Sequence, residues 1–243
     1  MNGQFIQQLS NMPSRTLPPI GVLLGGGIES TAVVKQLLDA ERVVVPVRIN
    51  CGLVWDAAES YHTRRFCAAQ QTDRLRPLIE IELGLQGFLG QHWAATGRVI
   101  PLAGAASSDL EIPLRNLTLI SLAVRKLMEI HAADFAAAGD DSPLEVAIGT
   151  TADNCYRDGS REYFDRCEDV FRLEAGRPVK IVTPFLHLRK PQIIRDTDPA
   201  TLALSFSCVS PSELVPCGRC IKCGRRQAAF REAGVPDPTT YAL

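Results

Sequence analysis

Residues 20–31 read Ile-Gly-Val-Leu-Leu-Gly-Gly-Gly-Ile-Glu-Ser-Thr. The first five form a short apolar run, the length of a buried strand. The glycine triplet 25–27 breaks it. An amphipathic pattern follows, with Ile28, Ala32, Val33, Val34 and Leu37 on or near one helical face. Strand, glycine turn, helix is the opening of an α/β fold. Three glycines let the backbone turn tightly and approach a ligand without Cβ interference. The N–H groups of the turn and of the helix start form an anion cradle, to which Ser30 and Thr31 add hydroxyls. A plain strand–turn–helix junction would also explain a lone triplet. The Lys-Ser/Thr pair of a Walker A loop is missing.

Working outward, residues 43–49 are a β-branched run and a second strand. Residues 56–70 read as a helix, 78–83 as an exposed-face strand and 114–130 as a long amphipathic helix. Residues 146–149 form a buried strand, 160–171 a helix and 179–182 a last strand. Residues 1–16 read as a loose arm, 97–109 as a mobile loop and 136–141 as a turn. Strands alternating with helices predict an α/β fold with a doubly wound, mostly parallel sheet. Ligands of such sheets bind outside the carboxyl ends of the strands. Residues 25–31, 50–55 and 149–158 each follow a predicted strand and are expected to line one crevice.

The 243 residues carry a net charge of −1, so no global field draws the chain to nucleic acid or acidic lipid. No apolar stretch approaches the roughly 18 residues that a membrane span needs. The N-terminus lacks the pattern of a secretory signal, so a cytoplasmic location without a membrane partner is expected. Four of the eight cysteines, Cys208, Cys217, Cys220 and Cys223, fall within sixteen residues. In a reducing compartment that spacing points to metal rather than disulfides. Four thiolates with short loops predict one structural zinc per chain, with a closed coordination shell. An iron–sulfur cluster is the other metal reading, although the ferredoxin run carries its fourth cysteine downstream. The composition shifts near residue 200, where this cysteine-rich tail begins.

Several segments together resemble a known family. Residues 23–31 resemble the S-G-G-x-D-S pyrophosphate loop of the ATP pyrophosphatase superfamily, with Gly25 in place of the serine and Glu29 in place of the aspartate. Ile-Pro-Leu-Arg-Asn at 112–116 resembles a P-x-R-N segment. Residues 148–153, with Tyr156, Arg157, Asp158 and Glu162, resemble a G-x-N-x-x-D…Y-P-D-C-R segment. Thr183-Pro184 with Lys190 resembles a T-P…K segment. The cysteine tail and residues 233–238 with Tyr241 resemble the ending of the 7-cyano-7-deazaguanine synthase (QueC) family. Residues 50–53, Asn-Cys-Gly-Leu, stand where that family has D-Y-G-Q.

The resemblance implies an adenine nucleotide alpha hydrolase-like fold. It implies an ATP-binding α/β domain over 1–200 and a zinc-binding tail over 201–243, packed on the same domain. It also implies an ATP-dependent carbon–nitrogen ligase. ATP with Mg²⁺ would adenylate a 7-deazaguanine carboxylic acid, and ammonia would convert it to an amide or a nitrile. Leu24, Gly25, Gly26, Gly27, Glu29, Ser30 and Thr31 would hold the nucleotide. Lys190, Arg115 and Ser30 would act in catalysis, and Arg115, Asn116, Asp153 and Asp158 would bind the acid. A homodimer is expected.

Bland readings stand beside these roles. Lys190 reads equally as a solvated helix-start lysine, Arg115 as a partner of Glu111, and Asp153 and Asp158 as helix caps. The loop departures also allow a retuned enzyme that passes the activated group to another acceptor, such as a protein. A tRNA sulfur transferase of the same superfamily would want a second reactive cysteine pair, and no further C-x-x-C exists. A zinc-ribbon binding module with an inactive nucleotide domain would want more than the small basic patch of Arg219, Lys222, Arg225 and Arg226.

Overall fold

A computed structural model describes residues 17–70, 72–84, 86–130 and 142–242. The expected N-terminal arm and the 136–141 turn lie outside them. Five strands form one parallel sheet: β1 (Ile20–Leu23), β2 (Val44–Asn50), β3 (Ile79–Glu82), β4 (Leu144–Ala147) and β5 (Val179–Val182). Their spatial order is β3-β2-β1-β4-β5. The chain winds outward from β1 to β3 and then returns to lay β4 on the other side of β1. The switch between β1 and β4 opens a crevice at the carboxyl ends of those strands.

Helices cover both faces, as parallel strands require. Side-chain alternation along the strands sorts two cores. Leu23, Val45, Val47, Val146 and Ile181 pack with α5 (Arg115–Ile130) and α6 (Arg161–Ala175). Ile20, Val22, Leu24 and Val44 pack on the other face with α1 (Ile28–Asp39) and Phe66 of α2 (Asp56–Ala69). That second face also takes α7 (Lys190–Asp196), α8 (Pro199–Leu204) and α9 (Ile221–Ala233). Gly21 is a packing requirement, since a Cβ there would meet Leu127 Cδ1 of α5 at 2.4 Å. Two short helices, α3 (Gln86–Leu89) and α4 (Trp93–Thr96), interrupt the long connection from β3 to α5. Trp93 of α4 stacks on buried Trp55, with ring centroids 5.6 Å apart, so Trp55 packs.

Residues 97–109 differ from the mobile loop that their composition suggests. Leu102 bridges to Cys220, Ile221 N–H donates to the Pro101 carbonyl at 3.0 Å, and Ala103 N–H donates to the Arg219 carbonyl. The loop is stitched to the cysteine tail by backbone groups, which small residues leave unobstructed. The tail itself enters the first core through Phe206, Cys208, Cys217 and Ile221.

Candidate active site

The glycine loop leaves β1 at the switch point. Gly26 has φ +73°, a left-handed conformation, and a Cβ there would lie 3.0 Å from Thr63 Oγ1. Both facts demand glycine. Gly27 is the N-cap of α1, so the first N–H groups of that helix, which have no acceptor within it, face the crevice. Gly25 is exposed, and a Cβ on it would meet only Glu59 Oε2, at 4.0 Å. Across the switch, Gly149 follows β4. A Cβ there would sit 2.9 Å from the Glu29 carbonyl carbon, so this glycine lets the first turn of α1 seat against β4.

The hydroxyls of the loop shape it. Ser30 Oγ donates to the Gly27 carbonyl at 3.1 Å, and Thr31 Oγ1 donates to the same carbonyl at 3.0 Å. Thr31 is fully buried, and Leu24 lies with its side chain in the second core. Those two residues therefore touch the crevice by backbone at most. Glu29 stays half-buried and meets Lys190, with Oε1 to Nζ 2.6 Å. Burial alone would raise the Glu29 carboxyl, but the charge and hydrogen bond of Lys190 outweigh it and hold the group below its ordinary value. Asp153 explains why Lys190 reaches this point. Its Oδ2 accepts from the Lys190 backbone N–H at 2.6 Å, and its Oδ1 accepts from Arg189 Nε at 3.1 Å. Asp153 is thus a cap of α7.

The remaining candidates gather on the facing wall. Arg115 starts α5, and its Nε is buried without a partner in the protein. Asn116 Nδ2 donates to the Asp158 carbonyl at 3.1 Å. Burial raises the Asp158 carboxyl above its ordinary value, and the neighbouring Arg115 opposes that rise. Ser160, not Asp158, caps α6, by accepting from Tyr163 N–H. Tyr156 OH donates to the Ser107 carbonyl, and Arg225 Nη2 donates to Ser107 Oγ at 2.5 Å. Three motifs far apart in sequence, 25–31, 115–116 and 153–158 with 190, therefore line one cleft.

Two cleft residues escaped the sequence reading. Glu59 lies on the first turn of α2, and burial pushes its carboxyl up to about 7. An acid one turn into the helix that follows the 50–55 loop was the available signal. Lys222 was counted only as part of a surface patch. Its side chain is solvent-exposed, yet the cleft walls and the charge of Lys190 bring its ammonium down to about 8. The rest of the 50–55 loop is held by Asp56, whose Oδ2 accepts from Leu53 N–H at 2.6 Å and whose Oδ1 pairs with buried Arg48 at 3.1 Å. Cys51 is buried there, and desolvation lifts its thiol to about 11.

The four tail cysteines meet as the spacing implies. All are buried, and their Sγ atoms lie within 4.8 Å of one another. Cys208 and Cys220 are 3.8 Å apart, and Cys217 and Cys223 4.0 Å. A tetrahedral ion with metal–sulfur bonds of about 2.3 Å would hold its sulfurs roughly 3.8 Å apart. Backbone N–H groups of Cys217 and Ser210 donate to Cys208 Sγ, each at 3.3 Å, and Cys220 N–H donates to Cys217 Sγ. Such donors favour thiolates. Within the cluster, hydrogen bonding from Cys208 and Cys223 drives the Cys220 thiol down, while hydrogen bonding to Cys208 drives Cys223 up. One dication would settle all four as thiolates, so the donor set fits a metal.

The tail is tied to the glycine loop. Phe206 N–H donates to the Gly26 carbonyl at 2.7 Å, and Cys223 Sγ lies 3.5 Å from the Ser207 carbonyl. Behind it, buried Arg226 bonds Asp237 Oδ1 at 3.0 Å and Ser205 Oγ at 2.8 Å, and Tyr241 OH closes on Asp237 at 2.6 Å.

The comparisons with known proteins agree in direction. A family profile described as "Queuosine biosynthesis protein QueC" matches residues 20–234. A 7-cyano-7-deazaguanine synthase from Chromohalobacter salexigens is 34% identical over 233 residues, covering 91% of this chain and 85% of the relative. One from Nitrosococcus oceani is 26% identical over 238 residues, covering 93% and 99%. Among solved structures, the U34-tRNA thiolase NcsA from Methanococcus maripaludis is 12% identical. It covers 96% of this chain and 74% of its own, with a TM-score of 0.48, too loose a likeness to carry an argument.

Proposed function

This chain belongs to the family of queuosine biosynthesis protein QueC, and from that premise we propose that it is an ATP-dependent carbon–nitrogen ligase acting on a 7-deazaguanine carboxylic acid. A carboxylate is a poor electrophile because its oxygen leaves badly. Attack of that oxygen on the α-phosphorus of ATP releases pyrophosphate and turns the oxygen into part of AMP, a good leaving group. Ammonia then adds to the activated carbonyl and AMP departs, giving the amide. A second activation, on the amide oxygen, followed by loss of AMP and protons, gives the nitrile.

The observation that carries this reading is the meeting of Lys190 with Glu29 at 2.6 Å beside Gly26 and Gly27. It joins a glycine anion cradle to a cation at the switch point of the sheet. The loop N–H groups bind the β- and γ-phosphates, and Ser30 and Thr31 keep the loop carbonyl turned away. Lys190 and Arg115 face the charge that develops as pyrophosphate leaves, which preorganised donors stabilise. Asn116 and Asp158 meet the acid, and Asp153 positions Lys190. Mg²⁺ would travel with the phosphates, since hard oxygens prefer it. Glu59, a half-buried carboxyl beside Gly25, is the acid placed to hold it. Zinc on the four tail cysteines would be structural, because its four protein ligands leave no open position. We assign nucleotide chemistry to 1–200 and bracing of the cleft to 201–243. A cytoplasmic homodimer belongs to the same reading, and sedimentation at twice the 26.5 kDa chain mass would support it.

A second reading, transfer of the activated acid to another acceptor such as a protein amine, draws on one observation. The space at Gly25 is open except for Glu59, which leaves room for a bulkier ligand. Incubation with ATP, ammonium and 7-carboxy-7-deazaguanine, followed by mass analysis, separates the two. Amide or nitrile with AMP supports the ligase. AMP without either, together with a deazaguanine adduct, supports transfer. No AMP at all overturns both.

A further inference from the structure

We propose that His62 is a positioning residue for the nucleotide loop, locking the Phe206 clasp that holds the Gly26 carbonyl out of the phosphate cradle. The inference rests on the nucleotide reading above and adds a third element, α2, to the loop and the tail. Helix α2 runs beside the loop. Thr63 Oγ1 lies 3.0 Å from the place of a Cβ on Gly26, the Glu59 carbonyl 3.8 Å from it, and Glu59 Oε2 4.0 Å from the place of one on Gly25. His62, on the same helix, meets the cysteine tail. Its ring stacks on that of buried Phe206, with centroids 4.7 Å apart and planes 16° from parallel. Tyr61 packs edge-on to the imidazole at 5.2 Å. His62 Nε2 donates to the Leu214 carbonyl at 2.9 Å. A tight turn presents that carbonyl. Within it Ser212 and Val215 exchange two backbone bonds of 2.9 Å, and Glu213 takes φ +53°. A glutamate holds such a conformation only where its surroundings fix it.

The clasp matters because the loop peptide that it fixes is otherwise free to turn. Phe206 N–H donates to the Gly26 carbonyl at 2.7 Å. In a trans peptide the C=O and N–H point in opposite directions. The same bond therefore sends the Gly27 N–H away from the tail. Gly26 and Gly27 carry no Cβ to resist rotation of the peptide plane between them. Once turned, that plane would offer a carbonyl where an anion cradle needs a donor. The Phe206 bond opposes this exchange, and His62 holds Phe206 by its ring. His62 thus acts through Phe206 on a group that meets phosphate, and touches no substrate itself. The ligand it governs is the polyphosphate of a nucleoside triphosphate, or pyrophosphate, rather than the nucleoside.

The test is titration calorimetry of the full metal-loaded chain with ATP, inorganic pyrophosphate and adenosine, on the parent, His62→Ala and His62→Phe. Metal content and melting temperature are measured beside it. His62→Ala is expected to bind ATP and pyrophosphate about tenfold or more weakly, as loss of one well-placed donor to a charged group does, with adenosine unchanged. His62→Phe keeps a ring on Phe206 and recovers most of that affinity, although it lacks the bond to Leu214. A metal-loaded His62→Ala chain that binds pyrophosphate as the parent does overturns the proposal. So does an equal weakening of adenosine, or a His62→Phe chain as weak as His62→Ala. Should His62→Ala lose its metal, hydrogen exchange of the Phe206 amide in the parent decides instead. Pyrophosphate that prefers the clasped loop must suppress opening of this bond. Slower exchange with pyrophosphate supports the proposal, and equal exchange overturns it. A parent that binds neither ATP nor pyrophosphate contradicts the nucleotide reading first, and this inference with it.

Discussion

Gly25 and Glu29 carry the chemical individuality of the loop. A serine fits at 25, since its Cβ would find only Glu59 Oε2 at 4.0 Å and the backbone there is not left-handed. Its hydroxyl would add one donor near the phosphates, and such a donor is worth on the order of a hundredfold in rate. Gly25→Ser with Glu29→Asp is therefore expected to raise AMP and amide formation by roughly ten- to a hundredfold. Turnover that stays at the parent level would show that these positions do not limit the chemistry. Glu59 makes a separate prediction. Its carboxyl is raised from the ordinary 4.5 to about 7 by burial. The native state then binds more protons than the unfolded one between those values, so stability falls as pH rises from about 4.5 to 7. Glu59→Gln should flatten that slope in urea melts. An unchanged slope would place the titration elsewhere. The glycines were legible because a triplet after a strand has few other uses. The Glu29–Lys190 pair was not, since no local pattern says which lysine reaches a loop from another helix.

Gly149 shows how one element holds another. With Glu29 backbone 2.9 Å from its virtual Cβ, Gly149→Ala must push α1 away from β4. The variant is expected to lose about 1–3 kcal/mol, as overpacking does, and to lose the rise in melting temperature that ATP gives the parent. A full ATP-induced rise in the variant would free the switch point from this constraint. In α9, Arg226 is the brace. Arg226→Met strands the Asp237 carboxylate and should cost about 3 kcal/mol, read as a lower urea midpoint at unchanged m. Strands were readable from their apolar runs, with bounds within about two residues. Helix α9 was hidden because the cysteines and arginines of 217–226 mask its pattern, and residues 97–109 were misread because backbone pairing to a distant tail leaves no side-chain signature.

At the scale of the molecule, the metal tail and the nucleotide loop are one device. Phe206 joins them through the Gly26 carbonyl, and the cysteine cluster fixes the segment that carries Phe206 and Lys222. Chelation is expected to weaken ATP binding as well as to lower the melting temperature, because a metal held by these four buried cysteines would contribute folding energy. A metal-free chain that binds ATP as the parent does would separate the two. The four ligands were plain in the sequence, but their partnership with the loop was not, since it runs through one backbone hydrogen bond. In the proposed reaction the carboxylate oxygen of the acid attacks the α-phosphorus of ATP in the cleft between β1 and β4. Its most direct test is turnover with the acid labelled with ¹⁸O in its carboxylate, followed by mass spectrometry of the nucleotide. AMP carrying one ¹⁸O from the acid is expected, and unlabelled AMP, or ADP in its place, would contradict this attack.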